Sequence, residues 1–153
     1  MAKSKFHLVT YIRTTPEKLW DALINPTMTR LYWAETWQDC TWKPGASWKL
    51  MSPDGKFRDA GEIIEITPPR RLALTWQNQY KPEMKAEGFS KLTYEIDKQI
   101  ESTKFSLTHE IDVADSKLIA AVATGWPWII SSLKSLLETG ESLVETRKWP
   151  EGE

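Results

Sequence analysis

A single cysteine, Cys40, stands in the chain, which excludes an intramolecular disulfide and any zinc site built from several cysteines. The two histidines, His7 and His109, have no clustered cysteines to complete one either. Charge of one sign is not in excess: 20 Lys+Arg face 21 Asp+Glu, for a formal net charge of −1. A nucleic-acid surface, which works by releasing counterions, needs a basic excess, so that class of partner is argued against. Long apolar runs are missing. Leu118–Ala123, among the longest, falls far short of the ~20 residues of a membrane-spanning helix. Met1–Phe6 is polar and offers no signal-peptide core, so a soluble, cytoplasmic setting is expected. Also missing are a Walker loop, G-x-G-x-x-G, a G-x-S-x-G elbow and H-E-x-x-H, and with them any motif that calls for a cofactor or a metal.

What is abundant is tryptophan. Nine Trp in 153 residues is a heavy load of wide, flat rings, each with an indole N–H that needs a partner when buried. A chain of this length buries roughly 70% of its unfolded surface and can hold a self-sufficient core. Such rings either fill that core or line a space within it.

Period-2 alternation over Lys5–Thr14 predicts a strand, with Phe6, Leu8 and Ile12 on one face. Thr15 is a helix N-cap, Pro16 suits the first turn, and Leu19, Trp20, Leu23 and Ile24 follow with helical spacing. Asn25-Pro26 ends that helix and starts a second short one, Pro26–Trp33. Six strands are then expected at Thr36–Trp42, Ser47–Met51, Phe57–Ile66, Arg71–Gln77, Lys91–Asp97 and Thr103–Ile111, separated by turns such as Lys43-Pro44-Gly45 and Thr67-Pro68-Pro69. The segment Asn78–Ser90 reads as a loop too polar for the core. Short connections between successive strands predict an antiparallel meander. From Ile119 to Leu137 one apolar stripe predicts a long terminal helix, capped by Gly140 and kinked or broken at Pro127. The charged tail Glu141–Glu153 is expected to fray. The fold class is therefore α+β: a curved antiparallel sheet of about seven strands wrapped around a C-terminal helix, with two short helices after the first strand.

Several runs carry a resemblance. They are Thr15–Leu23, Tyr32-Trp33, Gly61–Leu72 with Thr75-Trp76, Gly125-Trp126-Pro127, and Leu133 with Leu136–Gly140. In this order, over about Lys5 to Gly140, the chain resembles the START-like (SRPBCC) superfamily, and within it the homologues of the activator of heat-shock-protein-90 ATPase. The resemblance implies a helix-grip domain over residues 1–140, with a ligand cavity between sheet and long helix. It leaves function open, because lipid carriers, hormone receptors, polyketide cyclases and chaperone activators share the scaffold.

Alternation sets the candidate site. Counting along the strands places Leu72, Leu74 and Trp76, then Leu92, Tyr94 and Ile96, then Phe105, Leu107, His109 and Ile111 on the inner face, together with Glu62, Ile64 and Ile66. Glu62 and His109 are then ionisable groups on an apolar face, where each needs a partner or a wet cavity. As a pair they could orient a ligand or exchange protons with it. Trp33 and Trp37 are expected at the rim of a pocket, and Trp48, Trp76 and Trp126 in its wall. Trp128 and Trp149 lie off these surfaces and point to a partner or dimer contact if exposed. Three readings follow: a domain binding a hydrophobic or aromatic small molecule through Trp33, Trp37, Trp48, Glu62, Trp76, Tyr94, His109 and Trp126; a domain docking on a chaperone or other protein, as monomer or homodimer; and a cyclase- or dehydratase-type enzyme using His109 and Glu62.

Overall fold

The computed structural model describes residues 3–149. Its elements are β1 (Ser4–Ile12), α1 (Pro16–Ile24), α2 (Pro26–Tyr32), β2 (Trp37–Asp39), β3 (Ser47–Met51), β4 (Phe57–Thr67), β5 (Arg71–Asn78), α3 (Pro82–Lys85), β6 (Ser90–Lys98), β7 (Thr103–Ile111), α4 (Lys117–Thr139) and a closing 3-10 turn, Val144–Arg147. Seven strands form one antiparallel sheet in the order β1-β7-β6-β5-β4-β3-β2, so the chain returns to pair its first strand with its last. This is the expected α+β helix-grip architecture. Local chemistry sets the boundaries: the Thr15 hydroxyl accepts from Lys18 N at 3.2 Å and Asn25 Oδ1 accepts from Thr27 N at 2.9 Å, each followed by Pro at the first helical position.

α4 lies across the inner face of the sheet and buries Leu118, Trp126, Ile129, Ile130 and Leu133. Both of its ends are pinned. At the start, Glu87 from the segment before β6 accepts from Ser116 Oγ at 2.6 Å and from Lys117 N at 2.7 Å, placing a carboxylate on the positive end of the helix. At the finish, Glu138 accepts from Arg13 N at 2.8 Å and from Lys134 Nζ at 2.7 Å, while Gly140 adopts a left-handed cap with φ 88°.

Four sequence expectations are corrected here. The break expected as one outcome at Pro127 does not occur: α4 runs unbroken through it, because the lost backbone bond is one among many and the residues around it, Trp126, Ile129 and Ile130, are held by packing. Asn78–Ser90 is no polar loop: it folds α3, and Asn78, Met84 and Ser90 are buried. The tail is docked as far as Trp149. Thr146 is buried, its hydroxyl bonded to that of Ser132 at 2.7 Å and its carbonyl accepting from Ala34 N at 2.7 Å, whereas residues 150–153 lie outside the described residues.

The fourth correction concerns β4. Its pairing with β5 keeps one register from Asp59↔Asn78 to Ile63↔Leu74 and another from Glu65↔Ala73 onward, leaving Ile64 as an extra residue. A bulge reverses the parity of everything before it. Ile66 faces inward as counted, but upstream the inner set is Asp59, Gly61 and Ile63, while Ile64 is 48% exposed and Glu62 points to solvent.

Candidate functional site

Between the inner face of β3–β5, α3 and the first half of α4 the protein leaves a cavity of about 210 Å³. Its floor is three indoles in mutual contact. Trp33 and Trp76 stack with centroids 6.3 Å apart and planes 14° from parallel, and Trp126 meets them at 5.3 and 5.8 Å. Leu50, Met84, Leu118, Val122 and Ile129 complete an apolar lining. The cavity reaches solvent beside the exposed Tyr80, Ala121 and Thr124. At that mouth Trp128 and Trp149 stack at 5.9 Å, and the Arg58 guanidinium lies over both the Trp149 ring (4.4 Å) and the Tyr80 ring (4.3 Å).

Of the sequence candidates, Trp33, Trp76 and Trp126 line this space. Trp33 is a wall rather than a rim, at 2% exposure. Trp37 sits on the short edge strand under Arg30 and does not reach the cavity. Trp48, Tyr94 and His109 are core behind it: Trp48 backs Trp76 at 4.7 Å, and Tyr94 packs between Phe105 and Trp126. Glu62, turned outward by the bulge, takes no part. Its backbone N–H donates to Thr75 Oγ1 at 2.9 Å, and its carboxylate has no neighbour in the site.

His109 is fully satisfied. Trp126 Nε1–H donates to its Nδ1 at 3.1 Å, which places the ring proton on Nε2. That proton goes to Ser90 Oγ at 2.7 Å, and the Ser90 hydroxyl donates onward to the Trp76 carbonyl at 2.9 Å. Burial holds the imidazole far below its ordinary pKa, at about 3, so it stays neutral at physiological pH. This is a strut that fixes two of the three floor indoles. The envisaged proton exchange between Glu62 and His109 has no geometry to support it.

The polar group that alternation missed is Asp59. It is buried beside the cavity, where its Oδ1 accepts from Trp76 Nε1 at 2.9 Å and its other oxygen has no hydrogen-bond partner among the described residues. Desolvation raises its carboxyl to about 7, against the lowering pull of Arg58 and the Trp76 N–H. Trp33 Nε1 and Trp149 Nε1 are buried without a partner among the described residues. Asn78, paired with Asp59, shapes the mouth by accepting from Tyr80 N at 3.1 Å and Lys81 N at 2.8 Å through one side-chain oxygen.

The family profile described as "Activator of Hsp90 ATPase homolog 1-like protein" matches residues 13–138, the whole span that builds this cavity except its Trp149 edge. The chain belongs to that family. Several solved structures share its fold. CalU16 from Micromonospora echinospora superposes with a TM-score of 0.73 at 18% identity, covering 93% of this chain and 78% of its own. The Aha1 dimer from Colwellia psychrerythraea gives 0.71 at 17% identity, covering 91% and 99%. An HSP90 activator from Plasmodium falciparum gives 0.69 at 22% identity, covering 87% and 95%. At such identities the likeness carries the fold alone. No curated protein matches the chain.

Proposed function

We propose that this family member is a binding domain that encloses a small, largely apolar or aromatic molecule between sheet and α4. The observation that carries the reading is the cavity itself: about 210 Å³ of space floored by three indoles, with an incompletely satisfied carboxyl in the wall. Cores pack to near-crystalline density, and here the packing stops short of the three indoles and leaves them facing an open space. Its volume lies below the roughly 300–1,000 Å³ of pockets that take drug-sized ligands, which suits a molecule of one or two fused rings. His109 works here as scaffold, and binding rather than turnover is what the arrangement favours.

The floor tryptophans report on occupancy. Titration with naphthylmethanol should change intrinsic fluorescence in a saturable, single-site manner. A Cβ on Gly125 meets no atom within 4 Å, so Gly125→Leu extends into the space and should abolish the change while the protein stays folded. A response that never saturates, or one that the filled cavity leaves intact, overturns the reading.

A further inference from the structure

The charges around the cavity are unevenly distributed. Asp59 is the sole acid in its lining, against two bases, Arg58 and Lys81. The eight lining positions contributed by α4, between Leu118 and Ile129, carry no ionisable group. Against the Trp76 ring stands His109, which is neutral, and on β3 the lining residue opposite Asp59 is Leu50. Tyr80 completes the set at the mouth.

Arg58 belongs to no ion pair among the described residues, although Asp59 is its neighbour in sequence. One of its five N–H groups is used, the Nη2 bond to Tyr80 Oη at 2.7 Å. The two rings hold its plane in place at the cavity mouth, so a rigid fork of donors is presented with little entropy left to lose. Lys81 stands beside it, its backbone fixed by Asn78 and its ammonium also without an ion pair. An unneutralised, pre-oriented guanidinium at the edge of an aromatic cavity matches a carboxylate on a flat ring system.

Resting on the binding reading above, we propose that the ligand is a small planar aromatic monocarboxylate, its rings against Trp33, Trp76 and Trp126 and its carboxylate on Arg58 beside Lys81. Asp59 then acts as the selectivity element. Ionised, it opposes an incoming anion; protonated, it becomes a hydrogen-bond donor next to the ring edge. Since burial already raises its carboxyl to about 7, binding of the anion draws in a proton near neutrality. A cationic amine in the same cavity would have the opposite dependence, favouring the ionised carboxylate.

Three probes of one shape separate these cases: naphthoate, naphthylmethanol and naphthylmethylammonium, titrated by tryptophan fluorescence and calorimetry at about pH 6 and about pH 8. Naphthoate remains ionised over this range. Naphthoate should bind about tenfold or more tightly than the alcohol at the lower pH, and about tenfold more weakly at the higher one, with about one proton taken up. Arg58→Met keeps an unbranched side chain against the Trp149 ring and should reduce naphthoate to the affinity of the alcohol. Asp59→Asn keeps an acceptor for Trp76 and should remove the pH dependence while leaving the preference for the acid. If the alcohol binds in the cavity and naphthoate gains nothing over it, or if the ammonium binds best, the carboxylate assignment is overturned and the binding reading stands. If none of the three binds saturably, both fall.

Discussion

Burial moves two ionisable groups in this protein in opposite directions, and their effects on stability nearly cancel until one is removed. Asp59 goes from an ordinary 3.8 to about 7, and His109 from 6.5 to about 3. Between pH 3.8 and about 7 the folded protein keeps the Asp59 proton that the unfolded chain has lost, so this group makes stability fall as pH rises. Between about 3 and 6.5 the unfolded chain holds a His109 proton that the folded state refuses, so this group makes stability rise with pH. At about 1.4 kcal/mol for each pH unit, raising the pH from about 5 to about 8 costs about 3 kcal/mol through Asp59 and returns about 2 kcal/mol through His109. Water entering the cavity would reduce the first figure, which is therefore an upper bound. Urea denaturation of wild type, Asp59→Asn and His109→Asn at the two pH values tests this. Stability relative to the wild type should shift by about 3 kcal/mol in favour of Asp59→Asn on going to the higher pH, and by about 2 kcal/mol against His109→Asn. Carboxylates common to all three proteins drop out of the differences. Flat differences would refute the burial argument for both groups.

Further outcomes follow from single contacts. Gly61→Ala would place a Cβ 1.7 Å from the Thr75 carbonyl oxygen, an overlap with backbone that should destabilise by about 3 kcal/mol or more, read as a lowered urea midpoint. Gly125→Ala meets open space in the middle of α4 and should stabilise by up to about 1 kcal/mol through helix propensity, seen as a raised melting temperature. Trp126→Phe removes the donor to His109 Nδ1 and leaves a buried acceptor unpaired, costing about 1–3 kcal/mol in equilibrium unfolding. Trp149→Ala takes away a ring under Arg58 and should leave global stability nearly unchanged while lowering naphthoate affinity, measured in the same fluorescence titration.

Architecture was legible in the sequence because it is written in local periodicity: Thr15-Pro16 and Asn25-Pro26 start their helices by capping chemistry, and β7 alternates without interruption. The site was legible only where alternation is unbroken. His109, Trp76 and Trp126 were placed inside correctly, but β4 carries a bulge at Ile64, and an apolar residue is what an extra position most readily disguises. Counting through it exchanged Asp59 for Glu62. The signal was present in Gly61, where β4 and β5 come so close that no Cβ fits, since a glycine within a strand marks such a place. Arg58, Tyr80 and Trp149 could not be found this way, because they meet through three separate segments rather than along one element.

The buried polar groups of this domain divide into two kinds, and the division falls at the cavity. Trp48 donates to Gln38, Gln38 to the Leu23 carbonyl, Trp126 to His109, His109 to Ser90 and Ser90 to the Trp76 carbonyl: each chain ends on backbone, and every member is satisfied. Such networks rigidify a core and ask nothing of solvent or ligand. Asp59, Trp33 and Trp149 break that pattern, each with a buried polar atom or an unused oxygen, and all three border the same cavity. Native proteins rarely leave buried groups such as these two indole N–H donors unpaired, because each costs about 1–3 kcal/mol. On the binding reading proposed above, the free Asp59 oxygen is the polar contact the wall would offer an incoming molecule, whereas the two indole N–H groups are closed off from that space and their cost is borne by the packing around them.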